Sequence, residues 1–195
     1  CSFAIAVGAN HHADEYLNCL ENEIRKNKGH DLQTLYIGGG TPSILSEAQL
    51  ERLMGMLRSN FRLMENCEIT LEANPEAMDK SKARLLNNLG VNRISLGIQS
   101  LNDNYLKFLG RKHNAKQAID AYQVLREVGF ENINLDLMYA FPSQSMEELR
   151  KDVDAIASLG SEHLSIYTLT IEPNSRFHAQ VIKLKKKKKI ADQFI

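Results

Sequence analysis

Gly38-Gly39-Gly40-Thr41-Pro42 places three consecutive glycines directly after an apolar, strand-like run that ends in Tyr36-Ile37. Glycines in a row let a ligand approach the backbone and expose peptide groups to it. No Lys-Ser/Thr pair follows, so the segment is not a nucleotide phosphate loop. Taken alone it also fits a plain tight turn. Three further polar residues stand at or near the ends of apolar-alternating runs: Glu72 in Leu71-Glu72-Ala73-Asn74-Pro75, Gln99 after Gly97-Ile98, and Asp136 in Asn134-Leu135-Asp136. If these runs are parallel strands around a barrel, the three side chains meet at the C-terminal rim, where such barrels bind ligands. Glycine amides and carbonyls with a Glu, a Gln and an Asp suit a ligand carrying amine, carboxylate and hydroxyl groups. Arg111, in Leu109-Gly110-Arg111-Lys112-His113, is either a carboxylate partner at that rim or an exposed cation at a helix end.

Other chemistries find little support. His11-His12 has no partner cluster with zinc-ligand spacing. No Ser-His-Asp or Cys-His constellation stands out. Three cysteines are too few for a disulfide framework in 195 residues. Cys19, in a helical pattern, and Cys67, at the opening of a strand, are expected to be buried small apolar residues.

The elements that must position the rim residues follow from two periods. Alternating runs at 34–37, 68–72, 93–99, 133–138 and 163–169 predict strands. Helical spacing joins Leu50, Leu53, Met54 and Leu57, then Ala118, Tyr122 and Leu125, then Leu149, Val153 and Ile156. A first helix is expected around Tyr16, Leu17, Leu20 and Ile24. Ser46 with Gln49 and Ser145 with Glu148 read as capping boxes. Gly90, Gly129 and Gly160 each close a helical segment shortly before a strand. Strands alternating with helices imply a parallel sheet with right-handed crossovers.

Strand faces separate a barrel from a doubly wound sheet. Ile94, Leu96 and Ile98 share one face of their strand, while Arg93, Ser95, Gly97 and Gln99 share the other. Sheets covered by helices on both sides are usually apolar on both faces. Here one face is polar, as expected if it lines a lumen that holds a polar ligand. An antiparallel sheet with one wet face gives the same alternation, but the intervening helices disfavour it.

Composition is that of an ordinary globular domain, 43% hydrophobic and 25% charged. No signal peptide or membrane-length apolar run is present, and a reducing, cytoplasmic setting is expected. The net charge is zero, yet residues 183–195 hold six lysines and one acid. The first 182 residues therefore carry a balance of −5, which disfavours nucleic-acid binding. The lysine run reads as a solvated tail, with at most a peripheral membrane contact. The chain opens on Cys1 and closes without a helix-ending signal, as expected of part of a longer protein.

Six segments in order carry a resemblance. They are Tyr36 to Ser43, Leu71 to Pro75, Asn92 to Ser100, Leu109 to His113, Asn134 to Met138 and Leu169 to Asn174. Together they resemble the radical S-adenosyl-L-methionine (SAM) family of oxygen-independent coproporphyrinogen III oxidase-like proteins. The resemblance implies an α/β fold, a partial (β/α)6 TIM-like barrel lacking its first strand here. The barrel would span 1–177, with 178–195 opening a C-terminal segment or linker.

The resemblance also implies a [4Fe-4S] cluster on a C-x3-C-x2-C motif, with SAM on the open iron and an electron donor as partner. Cys1-Ser2-Phe3 matches the end of that motif, which makes Cys1 a metal ligand. By position, Gly39, Gly40 and Thr41 would meet the methionine amine and Glu72 the ribose hydroxyls. Gln99, Arg111 and Asp136 would complete the pocket, with Thr170 beside the adenine or ribose. The oxidase branch carries a further cysteine where this chain has Phe3. That favours the heme chaperone branch, which passes heme to respiratory proteins, over the enzyme that decarboxylates porphyrinogen propionates.

Overall fold

The computed structural model describes residues 12–170 and His178. Cys1, His11, the segment after Thr170 and the lysine run lie outside the described residues, apart from His178. The elements alternate as α1 (Ala13–Lys26), β1 (Asp31–Ile37), α2 (Glu47–Asn60), β2 (Arg62–Ala73), α3 (Lys80–Asn88), β3 (Arg93–Gln99), α4 (Asp103–Leu109), α5 (Ala115–Val128), β4 (Asn132–Tyr139), α6 (Met146–Ser158) and β5 (His163–Thr168). Short 3-10 turns at Pro42–Ile44 and Pro75–Ala77 follow β1 and β2.

The five strands pair in sequence order, and every pair is parallel. A right-handed crossover that always steps to the next strand leaves its helices on one side of the sheet. The strand order never reverses, so this is the winding of a barrel rather than of a doubly wound sheet. The apolar side of the strands packs under the helices: Leu71, Ile94, Leu96, Ile98, Ile133 and Leu135 are all fully enclosed, together with Leu50, Leu86, Leu125 and Ile156.

The capping boxes form as expected. Ser46 Oγ accepts from Gln49 N–H at 3.2 Å while Gln49 Oε1 accepts from Ser46 N–H at 3.0 Å. Ser145 and Glu148 do the same, and Asn114 with Gln117 adds a third box. Gly90, Gly129 and Gly160 all lie at positive φ just past helix ends.

Several expectations need correction. Cys19 is exposed, not buried. It lies two residues after buried Leu17, a turn of about 200° around the helix axis, so it faces away from the core. Tyr16 is 66% exposed for a similar reason. The second strand begins at Arg62, so Cys67 is buried mid-strand rather than opening it. The α4 helix has no counterpart in the predicted elements.

Candidate functional site at the C-terminal rim

The concave face of the sheet carries a continuous set of polar side chains. On β2 and β3, Thr70 Oγ1 donates to Glu68 at 3.1 Å, and Arg93 lies 3.4 Å from that hydroxyl. Asn134 joins three strands. Its Nδ2 donates to Ser95 Oγ at 2.8 Å and to Asp136 Oδ1 at 2.7 Å, and its Oδ1 accepts from Ser165 Oγ at 2.9 Å. His163 Nδ1 lies 2.5 Å from the same oxygen. Asn134 is 2% exposed and Ser95 5%, so these groups are satisfied by one another rather than by solvent.

Toward the strand C-termini the groups become those of the rim. Glu72 Oε1 accepts from the Tyr36 hydroxyl at 2.8 Å, and Oε2 accepts from Gly39 N–H at 3.1 Å. The glycine turn is therefore tied to β2 through a carboxylate. Gly38 is required by this contact: a Cβ there would stand 2.8 Å from Tyr36 Cε1 and 3.0 Å from the Glu72 carboxyl. Partial burial, then the charges of Glu72 and Asp136, push the Tyr36 phenol up to about 12. Tyr36 is thus a neutral donor at physiological pH.

Asn74, just past β2, bridges two neighbours. Its Nδ2 donates to Thr41 Oγ1 at 3.3 Å, and its Oδ1 accepts from Arg111 Nη1 at 3.0 Å. Arg111 is not a free helix-end cation; Gly110 in the left-handed conformation ends α4 and turns the chain so that Arg111 reaches Asn74. Burial lowers Arg111 from its ordinary value, while Glu76 and Asp136 hold its charge in place. Burial likewise raises the Asp136 carboxyl, with Glu72 adding to the rise and bonds from Asn134 and Ser95 opposing it.

Gln99 closes β3 with φ +70° and is 8% exposed. A non-glycine residue in that region is strained, and such residues cluster at functional sites. Gly97 leaves room beside it, since an added Cβ would lie 3.0 Å from Gln99 Nε2 and 3.3 Å from Asn74 Oδ1.

Among the residues singled out from the sequence, Gly39, Thr41, Glu72, Gln99, Arg111 and Asp136 thus gather at one rim. Gly40 lies in the same turn, its carbonyl accepting from Thr41 Oγ1 at 2.5 Å. Thr170 is exposed just past β5, at the other edge of the sheet, and its hydroxyl reaches the Thr168 carbonyl at 3.5 Å. Cys1 lies outside the described residues. Sequence reasoning assigns no role to Tyr36, Asn74, Asn134 or His113. All four sit inside the singled-out segments, but only the fold brings them to their partners.

The family model described as the radical SAM superfamily matches residues 17–156. The chain belongs to the radical SAM superfamily. It is 42% identical over 170 residues to the heme chaperone HemW of Bacillus subtilis, covering 85% of this chain and 45% of that protein. It is 41% identical over 161 residues to HemW of Escherichia coli, covering 83% and 43%. The solved coproporphyrinogen III oxidase HemN from Escherichia coli, a radical SAM enzyme, superposes with a TM-score of 0.84 at 32% identity, over 98% of this chain and 44% of that one. The chain therefore spans about half the length of the curated relatives it matches. These matches bear out the α/β partial barrel and the resemblance to coproporphyrinogen oxidase-like proteins, with heme chaperones among the relatives.

The described residues suit SAM, and the expected cluster ligand, Cys1, lies outside them. An acidic acceptor, glycine amides, a buried guanidinium and a polar concave face are the donor set for an amino acid joined to a ribose. For the cluster, Cys19 is exposed on α1 and Cys67 is buried within β2. Among the described residues no group of three or more His, Cys, Asp or Glu could hold a metal ion. None of their helices is long and apolar enough to cross a membrane.

Proposed function

We propose that this chain is the SAM-binding barrel of a heme chaperone that hands heme to respiratory proteins. The observation that supports it most is the 42% identity to the Bacillus subtilis heme chaperone, against 32% to the coproporphyrinogen oxidase structure. Phe3, where the oxidase branch carries a further cysteine, points the same way. The barrel domain occupies 1–177, and 178–195 is the start of a C-terminal segment or a lysine-rich linker.

In this reading the rim is the SAM site. Gly39, Gly40 and Thr41 receive the methionine amine through backbone carbonyls and the Thr41 hydroxyl. Glu72, held by Tyr36 and Gly39, accepts the ribose hydroxyls. Arg111, steadied by Asn74, pairs with the methionine carboxylate, while Gln99 and Asp136 line the remaining polar wall. Thr170 borders the adenine or ribose from the β5 side. Cys1 supplies one thiolate to the cluster. When bound, the cluster and SAM supply one-electron radical chemistry. The protein's part is to orient the cofactor and keep water from its reacting end.

The oxidase reading is kept open by the structural match to HemN. One experiment separates the two. The full-length protein is reconstituted anaerobically with iron and sulfide, titrated with heme by absorbance, and assayed with coproporphyrinogen III, SAM and reductant. Stoichiometric heme binding without decarboxylation is expected. Turnover of coproporphyrinogen III without stable heme binding would overturn the chaperone reading.

A further inference from the structure

His113 lies in the α4–α5 connection, two residues after Arg111, and is 3% exposed. Its Nδ1 stands 3.0 Å from Glu76 Oε2, and its Nε2 stands 3.1 Å from the Ile98 carbonyl oxygen. A backbone carbonyl only accepts, and so does an ionised carboxylate. The bond to His113 holds the Glu76 carboxyl below the usual carboxylate range, outweighing burial, so Glu76 is ionised. Both ring nitrogens therefore face acceptors. The charged groups around it are Glu76 from the Pro75–Ala77 turn and Arg111 from the same connection; Asp136 of β4 in turn acts on Arg111.

We propose that His113 is a buried imidazolium acting as a positioning residue, which neutralises Glu76 so that Arg111 stays available to a ligand carboxylate, and which holds the peptide leading into Gln99. The proposal rests on the rim being the SAM site. Two observations carry it. First, Glu76 and Arg111 attract one another. Without a cation at His113, Glu76 would be a partly buried carboxylate in need of a partner, and the nearest cation would be the guanidinium meant for the ligand. Second, the β3–β4 register shifts between Leu96 and Gln99. The Ile98 carbonyl sits at that break, next to a residue at φ +70°, and a charged donor there keeps the strained turn in one arrangement.

The test uses the full-length protein with its cluster, the single variants His113→Gln and Glu76→Gln, and the double variant. Two probes are bound to each: SAM, and S-adenosylmethioninamine, which lacks the carboxylate. His113→Gln is expected to weaken SAM by about tenfold or more, and the carboxylate-free probe by no more than about threefold. Removing the freed charge as well, in the double variant, is expected to return SAM affinity to within about threefold of wild type. A double variant as weak as His113→Gln, or equal losses for both probes, would reduce His113 to a structural part and overturn the proposal. Wild-type protein that binds SAM no better than buffer would instead sink the reading of the rim, and this use of Arg111 with it. Long-range proton–nitrogen NMR of the wild-type imidazole reads the charge independently of any ligand. Both ring nitrogens should carry a proton at neutral pH, and a bare nitrogen overturns the proposal.

Discussion

The β4–α6 loop holds two side chains in a backbone region made for glycine, and its stability can be raised by removing them. Ala140 has φ +64° and Ser143 φ +67°. The left-handed conformation costs an L-residue roughly 1–2 kcal/mol. Glycine relieves that cost but loses roughly 0.5–1 kcal/mol more backbone entropy on folding. The balance predicts that Ala140→Gly and Ser143→Gly each stabilise the fold by about 0.5–1 kcal/mol. The loop already has its own ties, Gln144 N–H to the Phe141 carbonyl at 3.0 Å and Phe141 stacked on Tyr105 with ring centres 4.5 Å apart, so nothing else needs to move. The two sites share one loop, so the double variant should fall somewhat short of the sum. At this chain length about 1 kcal/mol moves the melting temperature by about 2–4 °C. The mirror control is Gly110→Ala: φ is +72° and a Cβ would meet nothing within 4 Å, so only backbone strain is added and stability should fall by about 1 kcal/mol. Thermal unfolding by circular dichroism, with urea unfolding alongside, measures the four variants against wild type. If the loop glycines lower the melting temperature, or if Gly110→Ala leaves it unchanged, backbone strain is not what governs these positions.

Three further outcomes are expected. Glu72→Gln keeps the shape but weakens the acceptor for Tyr36 and Gly39, and for the ribose in the proposed reading; SAM affinity of the full-length protein should drop on the order of tenfold to a hundredfold, and equilibrium dialysis with labelled SAM would show it. Burial raises the Asp136 carboxyl in the folded state, so its contribution to stability is present below the unfolded carboxylate value and is lost as pH rises through the folded one. Asp136→Asn should therefore unfold at a higher temperature than wild type at pH 7, with the gap closing as the pH approaches 4, and a pH series of melting curves reads this directly. Leu96→Ala empties a 0% exposed site on a central strand and should cost about 2–5 kcal/mol in urea unfolding with the slope unchanged.

Much of the fold could be read locally. Periods of two and of 3.6 residues are properties of consecutive positions, so the five strands and the main helices were legible from spacing alone. The same holds for Ser46 with Gln49 and Ser145 with Glu148, whose partners lie three residues apart. The rim residues Glu72 and Gln99 were legible because parallel winding sends every strand's C-terminal end to the same side. What spacing could not supply is which faces meet across the fold. Cys19 follows the helical pattern yet faces outward, because the apolar stripe of α1 is narrow and only tertiary packing decides which edge of it is covered. Asn74 to Arg111 and Glu76 to His113 each join residues 37 apart in the chain, and such pairs exist only after the β2–β3 crossover has closed. Asn134 looks in sequence like one more polar residue on an alternating strand; the parallel register of β3, β4 and β5 makes it the joint between Ser95, Asp136 and Ser165. The surroundings of His113 belong to the same class, since only the folded chain brings two acceptors to opposite sides of one ring.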